Sequence, residues 1–414
     1  MITNLKKYLP YLLPLLLIFS RSVADITIVL ISILFIYHSY KKLGWGWVKE
    51  KWFCFALIFW VYCLTINSAF SINPTESLAY SLFFIRWPIF AMALAYWILT
   101  DIKSLKKFLL AMTLVLIFII FDTWWQFFFE QDIFGFEKYM PNRLTGPFKG
   151  NPHVGAWIAK LILLPPLFLI LYDKLKLQEH QNCLTYSFFI ISTILFLSVA
   201  ITGERMALLL TLASIFILFI GLALNKIFLL KKISLLLLFS FFAILIFAYS
   251  FPHTTERAYF STIEKILNWR TSDYGLVWQS AYDVWVQSPL FGAGLHKYRE
   301  ACENLGIYGS SYLNAIGGGV CFHPHNISLQ LLSETGLVGF ILFYAMVIVL
   351  AFTSLKIYFT SKLWLSFALV FNIIFTCFLP IASSTSFFAN KYGAIVWLLV
   401  GVMLATNRLF KKEN

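Results

Sequence analysis

Apolar residues run along this chain in long unbroken stretches, separated by brief polar turns. A membrane-crossing helix needs about 17–25 such residues. Runs near that length predict twelve spans, near 8–20, 23–40, 52–66, 78–99, 105–129, 153–172, 184–201, 206–224, 233–250, 327–351, 363–380 and 391–408. The runs are continuous rather than alternating, which selects a helical bundle over a membrane barrel. The expected fold is therefore all-α, a polytopic bundle of about 12 spans in three parts. Residues 1–250 carry spans one to nine with short loops, 251–326 form a large loop with one or two surface helices, and 327–414 carry the last three spans. Ser22-Val23-Ala24 resembles a signal-peptidase site, but cleavage there would leave an odd number of spans.

Composition agrees with the pattern. Hydrophobic residues make up 60% of the 414 positions and charged ones only 12%, against about 25% charged in an ordinary soluble domain. A net charge of +13 raises the question of a nucleic-acid partner. The loops answer it. With the N-terminus inside, 19 of the 32 basic residues fall in short cytoplasmic segments, nearly all as Lys. That is the positive-inside pattern, so the excess charge reports topology, both ends are expected in the cytoplasm, and no nucleic acid is expected.

Polar chemistry collects on the opposite face. That side holds "MPNRLTGPFKGNPH", the tight turn "TGERM" and the large loop, together with His153, His253, His296, His323 and His325 and with Arg143, Arg205, Arg257, Arg270 and Arg299. In "HPHNISLQLLSETGLVGF", Pro324 disfavours helix before it and Asn326 is a good cap, so a helix should begin there. At ~100° per residue, His325, Leu329, Leu332, Gly336 and Gly339 would share one stripe, with the glycines admitting a neighbouring helix. A helix N-terminus disfavours a cation, which would keep the imidazole neutral and able to accept a proton. Alternatively, His325 is an interfacial residue that merely ends a span. Arg205 in its short turn matches an anionic group such as a diphosphate, or simply pairs with Glu204. Arg86 in "FFIRWPIF" is intramembrane and so a candidate ligand residue or an internal ion-pair member. Arg270, Arg257, Arg143 and Lys149 are further cations for phosphates or sugar acids, with solvated surface charge as the alternative. The cytoplasmic loops carry no Walker-type glycine pattern, and no Cys or carboxylate follows His323-Pro-His325 at zinc-like spacing, so no nucleotide or metal cofactor is expected. Cys302 and Cys321, both in the large loop, either pair and pin its Gly-rich stretch or stay reduced.

These residues resemble the O-antigen ligases and related membrane polymerases and oligosaccharyltransferases. "RMALL" gives the family's R-x3-L at Arg205 and Leu209, and "HNISLQLLSETGLVG" gives H-N-x9-G-x-x-G at His325, Asn326, Gly336 and Gly339. "VWQSAYDVWVQSPLFGAGL" looks like the family's loop segment, in which W-x-x-A precedes P-x-x-G-x-G. The resemblance implies a glycosyltransferase on the periplasmic face of a bacterial inner membrane, with no cofactor. Its donor would be a glycan on undecaprenyl diphosphate, its acceptor a lipid A–core sugar hydroxyl, and its surroundings membrane lipids. By the same carry-over, His325 and Arg205 are the expected catalytic residues. Arg270, Arg86, Arg143, Asn326 and His323 are expected substrate contacts, although the Arg270-to-Trp278 spacing is longer than the family's. An O-antigen polymerase or a protein O-oligosaccharyltransferase shares this pattern. A twelve-span secondary transporter would instead show a repeat between halves and polar groups at midplane, and neither stands out.

Overall fold

The computed structural model describes residues 2–172, 181–224, 267–307, 319–361, 364–382 and 385–412, with isolated positions between 234 and 252. The fold is all-helical, and the chain is a membrane protein: five helical segments are long and apolar enough to cross a bilayer, namely Arg21–Leu43, Pro74–Ile98, Ile102–Phe129, Ile327–Lys356 and Asn390–Lys411. Shorter apolar helices run over Tyr8–Phe19, Lys51–Asn67, Val154–Leu169, Tyr186–Ala200, Arg205–Ile220 and Phe367–Phe378. The expected span at 233–250 lies mostly outside the described residues, as do His253 and Arg257.

The helices, in order, are α1 (Ile2–Phe19), α2 (Arg21–His38), α3 (Lys51–Tyr62), α4 (Pro74–Phe84), α5 (Arg86–Ala93), α6 (Ile102–Phe129), α7 (Val154–Leu161), α8 (Leu164–Tyr172), α9 (Gln181–Ala200) and α10 (Arg205–Leu224). After the undescribed stretch come α11 (Asp273–Gln287), α12 (Tyr298–Asn304), α13 (Ile327–Ser361), α14 (Trp364–Phe378) and α15 (Asn390–Lys412). Caps set several starts. Asp101 and Ser104 exchange side-chain and backbone hydrogen bonds ahead of α6, and Asn73 accepts from the Glu76 N–H ahead of α4.

Side chains on α6 show why an apolar sequence still has an inside. Leu105, Leu109, Met112, Leu116 and Ile119 are buried, while Leu110, Leu114, Ile117 and Phe121 are exposed. A three-to-four residue period therefore separates packing from a surface suited to lipid rather than water. α13 packs along α3, α15 along α5, and α10 along α14. Aromatic rings key the centre: Trp52 stacks on Trp397 at 6.2 Å and Phe59 meets Phe343 edge-on at 5.4 Å.

In the stretch read from sequence as the large loop, α11 and α12 share a small core of Val277, Ala281, Val284, Ala293, Tyr298, Ala301 and the Cys302–Cys321 disulfide. The pairing that sequence left open is thus formed. One expectation fails. α13 is not a straight helix from its start: Gly336 adopts φ 65°, ψ −174° and breaks it. A Cβ on Gly336 would lie 2.2 Å from the Leu290 carbonyl oxygen, so the close neighbour is loop backbone rather than a helix. Gly339 does face another helix, with Tyr62 of α3 beside it.

Through that break the two glycine motifs interlock. Ala293 N–H donates to Ser333 O at 2.8 Å and Gly294 N–H to Glu334 O at 2.9 Å; in return Leu337 N–H donates to Pro289 O at 2.9 Å. Asn67 adds a side-chain clasp, donating to Phe291 O and Glu334 O and accepting from Leu295 N–H. Peptide groups freed by the broken helix are thereby satisfied, as apolar surroundings require.

Candidate functional site

The site is assembled at the loop-bearing end from three chain segments. His325 sits on the last turn before α13, outside the helix, with φ 51°. A non-glycine residue rarely holds that left-handed conformation, so the turn fixes the ring's position. Asn326 is the cap expected from sequence, its Oδ1 accepting from Leu329 N–H at 3.1 Å. The His323 and His325 rings lie 3.8 Å apart between centroids, and Tyr274 of α11 meets His325 edge-on at 5.9 Å.

The second segment is the loop between α6 and α7. Gln126, buried in the last turns of α6, accepts from both Thr145 and Gly146 N–H and donates to Thr145 Oγ1. Asp122 accepts from Ile133 N–H. A Cβ on Gly146, at φ 50°, would strike Thr123 and Val154. Held this way, the loop carries Arg143 and ends at His153, the residue before α7. Arg143 donates to Pro152 O.

The third is the turn between α9 and α10. Glu204 turns its carboxylate onto the start of α7, accepting from Gly155 N–H at 2.6 Å and Ala156 N–H at 3.2 Å. Gly155 is needed there because a Cβ would lie 2.5 Å from Thr202 Oγ1. Arg205, the next residue, opens α10.

Electrostatics join the segments. Burial first, then the charges of His323, His153 and Arg143, hold His325 well below the usual imidazole range. His153 is held at about 3 by burial and by Arg143, Lys391, His323 and Lys160. Both rings are thus neutral at physiological pH, as expected for His325, with burial rather than a helix terminus as the main cause. Burial raises Glu204 to about 7, against the opposing pull of Arg143 and its two backbone hydrogen bonds.

The structure therefore brings His325, His323, His153, Arg143 and Glu204 together and sets Arg205 beside them in sequence. Arg270 is exposed on the turn just ahead of α11, one turn from Tyr274. Arg86 stands differently: its guanidinium bonds Asp25 at 3.2 Å, Asn390 Oδ1 at 2.9 Å and Phe83 O at 2.6 Å. These bonds knit α2, α5 and α15 together, the internal ion pair that sequence offered as its other role. His153, Glu204 and Lys391 were not expected as site members. "GNPHVG" carries a hint for the first, in its glycine two residues beyond the histidine, but Lys391 has no local signal.

Comparison with known proteins places residues 188–344 in a match to the family model described as O-antigen ligase. That range holds Arg205, Arg270, His323, His325, Asn326, Gly336 and Gly339, whereas Arg86, Arg143, His153 and Lys391 lie outside it. A search of curated proteins found no match to the chain.

Proposed function

From a chain whose residues 188–344 match the family model described as O-antigen ligase, we propose a membrane glycosyltransferase that moves a glycan from undecaprenyl diphosphate to a lipid A–core sugar hydroxyl. The reading places the site on the periplasmic side of a bacterial inner membrane. One observation carries it: the His325 ring, 3.8 Å from that of His323, is held on the turn that opens the H-N-x9-G-x-x-G stretch, inside the range matched to the O-antigen ligase family model.

In this reading Arg205, with Arg270 and Arg143, holds the diphosphate and stabilises the charge that grows on it as the anomeric C–O bond breaks. His325 takes the proton from the attacking hydroxyl. Its depressed basicity in the free protein is an obstacle that the substrate itself removes, since a nearby diphosphate favours the imidazolium. Direct displacement inverts the anomeric centre. His323 supports the His325 ring, and the apolar spans hold the polyprenyl tail.

The test is genetic and electrophoretic. Deleting the gene should abolish the long-chain lipopolysaccharide ladder while lipid-linked polymer accumulates. His325→Ala and Arg205→Ala, present in the membrane at normal amounts, should fail to restore it. Restoration by both would refute the assignment, and a core capped by a single repeat would make the protein a polymerase instead.

A further inference from the structure

Lys391, at the start of α15, has an unusual setting. Its Nζ lies 3.9 Å from the centroid of Phe148 and 5.3 Å from that of Trp157, rings only 3% and 6% exposed. Among the described residues no carboxylate lies within ion-pair distance of it. Both rings belong to the loop and helix that flank His153, and the Lys391 charge is felt at that histidine.

Around His153 the balance is one-sided. Arg143, Lys391 and the buried Lys160 bring three positive groups. The acid that faces Arg143 and Lys160, Glu204, already accepts from two backbone N–H groups. Arg143 Nε and His153 Nδ1 are buried with no hydrogen-bond partner among the described residues. Buried donors and cations are costly unless something satisfies them, and here what would satisfy them all is an anion rich in acceptor oxygens.

We infer that Arg143, His153 and Lys391 form a binding site for a phosphate-type oxyanion next to His325, built from parts of the chain outside the matched family domain. Arg143 offers a charged N–H, His153 a ring nitrogen, and Lys391 an ammonium held at fixed height by two aromatic faces. That the anion belongs to a substrate of the transfer rests on the function proposed above. The diphosphate of the donor and an acidic group of the acceptor's core share this chemistry.

The test starts from the full-length protein in detergent, with inorganic pyrophosphate as the probe. Pyrophosphate should raise the thermal midpoint of the wild type. Lys391→Met keeps the stem between the rings and removes the charge; it should weaken pyrophosphate binding by roughly tenfold to a hundredfold, the value of one charge-assisted hydrogen bond. Lys391→Arg should restore most of the loss, which a merely structural role for the residue would not require. Arg143→Gln gives an independent second reading. No protection of the wild type, or wild-type protection of both charge-removing variants at unchanged unliganded midpoints, would overturn the site. In the transfer assay, a raised KM for the lipid-linked donor alone assigns the anion to the donor; a raised KM for the acceptor alone assigns it to the acceptor. Pyrophosphate binding that depends on Lys391 in a protein without transferase activity would keep the site and overturn the function instead.

Discussion

At His325 the chain spends conformational strain on position: a left-handed φ costs a non-glycine residue roughly 1–2 kcal/mol, and the following Asn326 cap holds the turn in place. Glu204 is the comparable residue on the other side of the site. Its folded-state value of about 7 lies above that of a free glutamate, so the folded protein binds the extra proton. The stability this contributes is fully present below the unfolded value and is lost as pH rises through about 7. The thermal midpoint of the wild type should therefore fall more between pH 5.5 and 8 than that of Glu204→Gln; parallel curves would show that Glu204 does not titrate there. His325 and Arg205 stood out as candidates in sequence because each sits in a short motif beside a turn signal. Glu204 was visible only as a neighbour of Arg205, since its task depends on where α7 begins, 49 residues earlier in the chain. Lys391 was hidden for the same reason, its aromatic contacts arriving from residues 148 and 157.

For the helices, apolar run length located most of the apolar ones, because lipid and a packed interior both select the same residues, but it located neither α11 nor α12. It could not show that α13 breaks. Gly336 sits in an otherwise helical apolar run, and the cause of its conformation is the Pro289–Gly294 strand of loop backbone packed against it. Substituting Gly336 by Ala meets both a left-handed φ and a backbone oxygen 2.2 Å from the new Cβ. Loss of several kcal/mol of stability is expected on the scale of overpacking plus backbone strain. Gly339→Ala presses mainly on the Thr335 and Tyr62 side chains and should lose less. Melting of the two variants in detergent checks the order; Gly336→Ala melting at or above Gly339→Ala would contradict it.

Across the whole molecule, cohesion at the site-bearing end comes from polar fastenings set among apolar helices. Arg86 fastens α2, α5 and α15 through Asp25, Asn390 and the Phe83 carbonyl. Breaking a largely buried pair leaves the other charge uncompensated at a cost of about 3–5 kcal/mol. Arg86→Ala should thus lower the thermal midpoint sharply while leaving the donor KM of the surviving protein within about twofold. An unchanged midpoint with a large rise in donor KM would return Arg86 to the substrate. Lys391 neighbours Asn390 on the same helix, so this fastening also sets the height at which the ammonium meets Phe148 and Trp157.

The strap of loop backbone across the broken helix also bears on the order of events during synthesis. Residues 289–294 leave the ribosome before residues 333–338, and Asn67 and Tyr62, which also hold this junction, precede both. The receiving groups are therefore made first, and the helix that needs them last. A segment with exposed peptide groups at Gly336 would insert poorly alone, but by the time it arrives its partners have already been translated.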